Sequence, residues 1–456
     1  MLHNLDTIAA IATPPGEGGI AIIRVCGPRC FEIADAVFRC PGRKPSARDG
    51  GTFVFGHIVF DKETIDAALC LIMRAPRSFT GEDTIEFHGH GGPVLARRIL
   101  RAVLAAGAQM AEPGEFSRRA FLNGKLDLLQ AEAILDAIRS KSDRAATAAI
   151  EQLEGCLSKQ FTSIYDGLMS VASDLAATLD FPEDELPEHV LDEINIQLEK
   201  SLLDIDSLLS SWGEGHLLRE GATVVIAGRP NAGKSTLMNA LLGKDRAIVS
   251  HIPGTTRDVI EEGLVLNGIP IRLVDTAGLR DADCEIEREG IRRSKTQLER
   301  ADLFLYVIDS SLPVHADDQH WLAKLDSNRL IIVMNKTDLR REIDKNFTTV
   351  ATIIETCLSD QRGLDELRLA ISTKLEGSLP TGGHHASISE RHRVLLSAAK
   401  AAVAASISLI KSGQDGAAAL ASDELRAALE AIGRATGRVY EDELLDNIFS
   451  RFCIGK

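Results

Sequence analysis

The sequence predicts a multidomain α+β protein, and changes of pattern along the chain support this. Residues 1–120 are rich in glycine and β-branched residues, whereas residues 121–215 repeat apolar positions at steps of three and four. Residues 216–380 alternate short apolar runs with helical segments, which is typical of a parallel α/β sheet. Residues 381–456 are helical again and rich in alanine. We expect an α/β domain inserted into a helical domain whose halves pack together; two separate helical domains are the alternative.

Length and composition are those of an ordinary globular protein. The 456 residues suffice for about three domains. Hydrophobic residues make up 45% of the chain and charged residues 26%, and this composition excludes a disordered chain, a collagen-like fibre and a coiled-coil rod. The net charge of −15 argues against a general polyanion binder, although a local basic patch could still bind RNA. The eight cysteines are scattered, and we find no signal peptide and no apolar run of membrane-spanning length. We expect a cytoplasmic protein with no membrane partner.

The N-terminal segment contains signals for both strands and a helix. Residues 20–25 and 52–60 are runs of β-branched and aromatic residues, which favour strands. Residues 93–106 form a helical pattern that has Pro93 in its first turn and Gly107 just beyond its end. These elements predict a compact α+β domain.

The middle of the chain changes from helices to strands. Helical periodicity runs from Leu126 to Leu168, an acidic stretch at 181–187 interrupts it, and a further helix follows at about 194–209. The apolar runs expected to form strands of the α/β sheet are 223–227, 271–274, 303–308 and 330–334.

The first of these strands leads into a phosphate-binding motif. Residues 228–235 fit the pattern G-x-x-x-x-G-K-[ST] and precede a predicted helix at 236–242. In this context the glycines turn backbone N–H groups towards phosphate oxygens. Lys234 would reach the β- and γ-phosphates, and Ser235 would supply a hydroxyl group to Mg²⁺.

Two more tetrapeptides follow predicted strands. Residues 275–278 read Asp-Thr-Ala-Gly, and Asp275 could hold Mg²⁺ through water. Residues 335–338 read Asn-Lys-Thr-Asp, and Asp338 could accept hydrogen bonds from N1 and N2 of guanine. Because adenine lacks that pair of donors, the second motif predicts selection of GTP over ATP.

In this order the motifs resemble those of the translation-factor-related GTPases. Residues 252–258 resemble their first switch, with Thr256 as a second Mg²⁺ ligand. Where that resemblance expects a Ser-Ala-Lys loop, this chain has Cys357-Leu358-Ser359. Ras-like proteins orient water with a glutamine where Leu279 stands, and Leu279 cannot hydrogen-bond. The acidic residues that could act instead, or that simply form a solvated helix face, are Asp281, Asp283, Glu285, Glu287 and Glu289.

The resemblance to one family extends over the whole chain. The segments that carry it are residues 6–16, 18–24, 79–86, 89–93, 113–117, 119–128 and the terminal Cys-Ile-Gly-Lys at 453–456. Together they resemble the MnmE (TrmE) family of tRNA-modification GTPases. The resemblance implies an N-terminal folate-binding and dimerisation domain over 1–120, helical segments over 121–215 and 381–456, and an inserted Ras-like P-loop GTPase domain over 216–380.

The resemblance also implies a function. Members work with a flavoprotein, MnmG, in a heterotetramer that installs a carboxymethylaminomethyl or aminomethyl group at C5 of the wobble uridine 34 of certain tRNAs. The one-carbon donor would be 5-formyl- or methylene-tetrahydrofolate. By motif match, the folate site would be lined by Arg24, Glu86, Lys125 and Lys456, although a surface ion pair is the alternative for each.

For hydrolysis the resemblance implies potassium in place of an arginine finger, supplied when two G domains meet. The K⁺ ligands would be Asn231, Ser250, Ile252 and Thr255, the Mg²⁺ ligands Ser235 and Thr256, and the catalytic residues Lys234 and Glu287. The GTP contacts would come from Asn231, Ala232, Gly233, Lys234, Ser235, Thr236, Ser250, His251, Ile252, Pro253, Gly254, Thr255, Thr256, Asp275, Thr276, Ala277, Gly278, Asn335, Lys336 and Asp338.

Three questions stay open at the level of sequence. Cys453 could add to C6 of uridine as a nucleophile, or it could merely pack in an apolar tail. A GTP-dependent assembly factor of the ribosome-maturation type would share every nucleotide motif and lack modification activity. A folate enzyme with a dispensable GTPase is a second alternative.

Overall fold

The computed structural model describes residues 6–180, 188–243, 262–275, 301–342, 350–377, 388–412, 414 and 416–456. The chain divides into two compact units. The first contains Met1–Leu135 together with Glu430–Lys456, and the second contains Asp136–Leu429.

The strands of the described residues are β1 (Ile8–Ile11), β2 (Ile20–Cys26), β3 (Phe38–Arg39), β4 (Thr52–Phe60), β5 (Glu63–Met73), β6 (Thr84–His90), β7 (Gln109–Met110), β8 (Ala222–Gly228), β9 (Glu262–Leu266), β10 (Ile269–Asp275), β11 (Leu303–Asp309), β12 (Leu330–Asn335) and β13 (Thr352–Glu355).

The helices are α1 (Cys30–Val37), α2 (Pro93–Ala105), α3 (Glu115–Leu122), α4 (Leu128–Arg139), α5 (Asp143–Leu153), α6 (Cys156–Asp180), α7 (Glu188–Ser210), α8 (Trp212–Glu220), α9 (Lys234–Leu242), α10 (Ala316–Lys324), α11 (Leu364–Gly377), α12 (Glu390–Ser412), α13 (Ala417–Thr436) and α14 (Asp442–Phe449).

A seven-stranded sheet in the order β3-β4-β5-β6-β2-β1-β7 forms the centre of the first unit. Its pairs are antiparallel except β1 with β7. Alternate residues of its strands, such as Ile23, Ile72 and Phe87, are buried together with apolar residues of α1 and α2. Alternation within each strand leaves the opposite face for Arg24 and Glu86, which pair across β2 and β6.

The C-terminal segment of the chain packs into the first unit. The rings of Phe449 and Phe452 lie 5.5 Å apart, and Phe449 also lies 6.4 Å from Phe121. Ile454 pairs with Pro113 in an isolated β-bridge. Gly455 has φ +97, and a Cβ there would collide with the carbonyl oxygen of Ile11. The last residues are therefore held against the start of the chain by apolar burial and by backbone geometry that requires glycine.

The second unit contains a six-stranded sheet in the order β13-β12-β11-β8-β10-β9. All neighbouring strands are parallel except β9 with β10. Its central strands are buried on both sides, with α9 and α11 contributing to one apolar cluster and residues near α10 to another. This is the expected architecture when strands and helices alternate.

The helices α7 and α12, which flank this sheet in sequence, pack against each other. Lys400 pairs with Asp206 at 2.6 Å, and Lys411 pairs with Glu199 at 2.8 Å.

Within the described residues, α12 is the one helix whose length and composition would allow it to cross a membrane. The charged Lys400 lies in the middle of α12 and interrupts its apolar run, and one such helix is weak evidence for a membrane.

The predicted elements are confirmed where they are described, with shifted ends. The helix predicted at 236–242 begins at Lys234, because the phosphate-binding loop leads directly into its first turn. The helix predicted from residue 194 begins at Glu188. The continuous periodicity between Leu126 and Leu168 is divided among α4, α5 and α6, with Gly155 at φ +87 between the last two. The acidic break at 181–187 lies outside the described residues.

We predict that Gly455→Ala destabilises the first unit by roughly 1–3 kcal/mol, because the new methyl group has no room and the backbone is left-handed. Urea unfolding and protease sensitivity of the last residues would measure this. Gly124→Ala is the control, because Gly124 has φ +66 but open space around it. Equal effects of the two substitutions would contradict the collision at Gly455.

Candidate functional site

A pocket of about 680 Å³ opens at the carboxyl ends of the parallel strands in the second unit. Strands β8 and β12 end directly at it, as expected for ligand sites of α/β sheets. Its lining consists of Pro230, Asn231, Gly233, Lys234, Ser235, Thr236, Asn335, Lys336, Asp338, Leu339, Leu358 and Ser359. The pocket thus brings together the predicted phosphate loop and the predicted base-recognition motif.

The phosphate loop has a backbone shape that depends on positive φ angles. Gly228, Asn231 and Gly233 have φ values of +141, +63 and +104. A Cβ at Gly233 would collide with the side-chain amide of Asn335, and a Cβ at Gly228 would collide with the carbonyl of Val307. The glycines therefore allow both the turn and the close approach of neighbouring residues, and a turn of this kind can present backbone N–H groups to an anion.

Lys234 and Ser235 lie at the first turn of α9, next to this loop. Lys234 is buried, and its Nζ donates to the carbonyl oxygen of Arg229 at 2.9 Å. The hydroxyl group of Ser235 lies 3.3 Å from Oδ2 of Asp275, at the end of the adjacent strand β10. A hydroxyl group and a carboxylate at this separation suit Mg²⁺, which prefers oxygen ligands and retains several waters.

The other end of the pocket is formed by the loop after β12. Asn335 is buried, and its side-chain amide donates to the carbonyl oxygen of Ala232 at 2.9 Å, which connects this loop to the phosphate loop. Both the N–H and the hydroxyl of Thr337 donate to the carbonyl oxygen of Thr356, at 3.3 and 3.1 Å. These bonds hold Asp338 at the pocket wall.

Lys336 is held by a carboxylate that the sequence did not single out. Its Nζ lies 2.6 Å from Oδ2 of Asp309, at the end of β11. Burial raises the pKa of Asp309, but hydrogen bonds from Lys336 and Ser311 outweigh it and leave that pKa below its usual value. Only the position of Asp309 at the end of a strand beside the pocket could have indicated this role.

Several predicted residues lie outside the described part of the chain. They are Ser250, His251, Ile252, Pro253, Gly254, Thr255, Thr256, Thr276, Ala277, Gly278 and Glu287. The assignments of K⁺, of the second Mg²⁺ ligand and of the water-orienting carboxylate to these residues therefore remain predictions. Of the K⁺ ligands, the structure places Asn231 at the pocket.

A second polar cluster lies on the first unit's sheet. Arg24 Nε pairs with Glu86 Oε1 at 2.8 Å, and Arg24 Nη1 donates to the carbonyl oxygen of Gly455 at 3.4 Å. His88 Nε2 lies 3.0 Å from Glu86 Oε2. Burial raises the pKa of Glu86, but hydrogen bonds and charge from His88 and Arg24 outweigh it, so the pKa is lowered. The cluster thus presents an ionised carboxylate at neutral pH.

Aromatic rings surround the guanidinium group of this cluster. Arg24 lies 5.8 Å from the ring centre of Phe79 and 5.5 Å from that of Phe116. Sequence reasoning missed both rings and His88. The position of His88 two residues after Glu86 on one strand face was a usable signal. Phe116 gave no such signal, since it is far from Arg24 in sequence.

The other predicted folate residues are placed differently. Lys125 Nζ donates to the carbonyl oxygen of Pro76 at 3.1 Å. Lys456 follows Gly455 and its backbone N–H donates to the carbonyl oxygen of Cys453 at 3.2 Å. Cys453 itself is exposed. The structure therefore brings Arg24, Glu86 and the C-terminal tail together, and it gives Lys125 a hydrogen bond to the backbone of Pro76.

Comparison with known proteins identifies the family of the chain. Residues 7–125 match the family model described as the GTP-binding protein TrmE N-terminus, and residues 128–453 match that of the MnmE helical domain. The chain belongs to the MnmE family. It is 42% identical over all of its length to the tRNA modification GTPase MnmE of Geobacillus kaustophilus, covering all of that protein. It is 43% identical to the MnmE of Geobacter sulfurreducens, with 99% of each chain covered.

Two of the solved structures that are similar to part of this MnmE family member are described here. The G domain of the FeoB iron transporter of T. maritima is 27% identical, with a TM-score of 0.26. The match covers 34% of this chain and 98% of the FeoB domain. Aquifex aeolicus Era bound to GDP and AlF4⁻ is 25% identical, with a TM-score of 0.25. The match covers 40% of this chain and 66% of the Era chain.

We predict that Asp338→Asn weakens GDP binding by roughly 30-fold or more and raises affinity for xanthosine diphosphate, because an amide can donate to the xanthine carbonyl at C2. Titration with both nucleotides would measure the change. Asp365→Asn, at an exposed position in α11, is the matched control. Unchanged preference for guanine in Asp338→Asn would contradict the assignment of the base site.

Proposed function

We propose that this protein is a GTP-hydrolysing enzyme of tRNA modification. With a flavoprotein of the MnmG type, it would install a carboxymethylaminomethyl or aminomethyl group at C5 of wobble uridine 34 in certain tRNAs. The observation that carries the proposal is the single pocket lined by both Lys234 and Asp338. It lies in a chain that matches MnmE proteins from end to end.

The residues that line the pocket support the proposed binding of GTP and Mg²⁺. The loop N–H groups and Lys234 would hold the β- and γ-phosphates, while Asp338 would accept from guanine. Ser235, with Asp275 beside it, and Thr256 would hold Mg²⁺, which neutralises charge developing on the phosphates. The closeness of Ser235 to Asp275 supports this assignment.

Potassium is proposed to replace an arginine finger. Asn231, Ser250, Ile252 and Thr255 would bind it when two G domains meet, and Glu287 would orient the attacking water. Support comes from Asn231, which lines the pocket on a left-handed turn of the phosphate loop.

The first unit is proposed to bind 5-formyl- or methylene-tetrahydrofolate. Arg24 suits the glutamate carboxylates of the folate, Glu86 suits the donors of its pterin ring, and Phe79 and Phe116 offer aromatic surface. The folate supplies a one-carbon unit when bound. Lys125 and Lys456 would complete the site, and Cys453, exposed on the tail, is kept as a candidate for the modification centre.

The same sheet face supports a homodimer. Phe53 of β4 pairs with Leu71 of β5, which pairs in turn with Glu86 of β6. In the same way, Phe55 pairs with Leu69, and Leu69 pairs with His88. Phe53 is 69% exposed, Phe55 57% and Leu69 37%. A contiguous apolar strip beside a polar site is the kind of surface that a second subunit covers.

Contacts inside the second unit support transmission of the nucleotide state. Arg144 of α5 pairs with Glu214 of α8 at 2.5 Å and with Glu376 of α11 at 3.5 Å. Helix α8 leads into β8, and α11 ends the nucleotide-binding region. One helical arginine thus contacts both connections of the proposed inserted domain, consistent with helical segments at 121–215 and 381–456 around a G domain at 216–380.

The decisive test is nucleoside analysis of tRNA from cells that lack the gene. We expect the wobble uridine to lose its C5 substituent, the wild-type gene to restore it, and Lys234→Ala to fail, because the phosphates lose their cation. Lys324→Ala, at an exposed position of α10, should restore it fully. Unaltered wobble uridines in the deletion strain would favour the ribosome-maturation type of assembly factor instead.

Potassium dependence can be tested on the purified chain. We expect GTP hydrolysis to be at least about tenfold faster in K⁺ than in Na⁺, and Asn231→Ala to remove the difference. Asn231→Gly controls for strain, since glycine tolerates the φ of +63 found there; it should lose the K⁺ effect while retaining GDP affinity. Equal wild-type rates in the two salts would refute the cation assignment.

A further inference from the structure

Positive charge is concentrated in two segments of the first unit, although the protein has a net charge of −15. Residues 39–48, which begin at the end of β3, contain three arginines and one lysine, and residues 74–77, directly after β5, contain two arginines. Neither segment contains an acidic residue. We call residues 39–48 and 74–77 the basic loops.

Two arginines hold the basic loops together. Arg74 Nη2 donates to the carbonyl oxygen of Ser46 at 2.6 Å, and its Nε donates to that of Arg48 at 3.1 Å. Arg48 Nε in turn donates to the carbonyl oxygen of Arg43 at 2.9 Å. Because these bonds tie side chains of the loops to their backbone, they fix the shape on which the other cations are mounted.

Three other cations of the basic loops are available to a partner. Arg43, Lys44 and Arg77 are exposed, and within the described residues their side chains form no ion pair. Asp35, a carboxylate that contacts the first loop, accepts from the N–H and the hydroxyl group of Ser46, at 3.1 and 2.6 Å, rather than from a cation. Exposed cations without counter-charges on a fixed backbone suit a polyanion.

The second basic loop leads into the polar cluster that contains Arg24. Phe79 follows Arg77 by two residues, so their Cα atoms are at most about 7 Å apart. The ring of Phe79 is 38% exposed, and its centre lies 5.8 Å from Arg24. Lys125 adds a further exposed cation here, since its Nζ donates to the carbonyl oxygen of Pro76 at 3.1 Å. A polyanion on the basic loops would therefore adjoin an aromatic ring and the proposed folate site.

We propose that the basic loops bind the phosphate backbone of the tRNA that is modified. Arg43, Lys44 and Arg77 contact phosphates, and Phe79 offers a ring on which an unstacked base can lie. The inference rests on the proposed function and adds the surface that holds its RNA substrate. A nucleic acid fits better than a membrane, because surfaces that bind lipid combine cations with large apolar anchors. The basic loops contain no phenylalanine, tryptophan, leucine or isoleucine.

The test measures the affinity of the full chain, in complex with its flavoprotein partner, for an unmodified tRNA transcript at about 50 to 200 mM salt. In the variant Arg43→Ala/Lys44→Ala/Arg77→Ala we expect binding to weaken roughly tenfold or more at about 150 mM salt. The slope of log affinity against log salt should fall in magnitude by about two to three, because each lost phosphate contact releases about one counterion fewer.

Two matched variants separate this site from a general loss of charge. Exchange of arginine for lysine, and of lysine for arginine, at the same three positions retains every charge and should bind tRNA within about threefold of wild type. The variant Lys141→Ala/Lys324→Ala/Arg329→Ala removes three charges from exposed positions of the second unit and should change neither the affinity nor the slope. In the wild-type complex, tRNA should also slow hydrogen exchange of the amides in both basic loops.

The outcomes distinguish the inference from the proposed function. Unchanged tRNA affinity in the first variant, or an equal loss in the two alanine variants, would overturn the inference. Loss of binding to phosphatidylglycerol vesicles with full retention of tRNA affinity would assign the basic loops to a membrane and would overturn it as well. Failure of the wild-type complex to bind the transcript at any of these salt concentrations would instead overturn the proposed function.

Discussion

One hydrogen bond joins the two ends of the nucleotide pocket, from the side chain of Asn335 to the carbonyl oxygen of Ala232. A nucleotide must be held at its phosphates and its base at once, so the distance between the two loops decides whether one ligand can reach both. Gly233 makes this contact possible in two ways. Its φ of +104 gives the loop its shape, and the absence of a Cβ leaves room for the side chain of Asn335. Burial of Asn335 strengthens the constraint, since a lost bond would leave a buried polar group unsatisfied.

The first unit is organised by an analogous constraint between distant parts of the chain. Arg24 near the N-terminus binds the carbonyl oxygen of Gly455 near the C-terminus, and Glu86 holds the same guanidinium group from the other side. The tail is held by the buried rings of Phe449 and Phe452. A site built from Arg24, Glu86 and Gly455 is completed only when the C-terminal segment has packed into the first unit.

The parts of this structure that could be predicted are those encoded over short spans. The phosphate loop, the residues after β12 and the apolar strands each carry their signal within eight residues or fewer, and the structure assembles them in one pocket. Contacts between distant segments could not be predicted in this way. The pairing of Lys336 with Asp309 and of Cys357 with Asp338 depends on which strands become neighbours, and the contact of Lys125 with Pro76 depends on a loop.

The most direct test of the single pocket is hydrogen exchange of the full chain with and without GDP. If one nucleotide spans both loops, GDP should slow exchange of the backbone amides of residues 229–235 and 335–339 together, at the same nucleotide concentration. Inorganic pyrophosphate should protect the first segment far more than the second. Protection by GDP that is confined to residues 229–235 would contradict a guanine-binding site at Asp338 and the role given to Asn335.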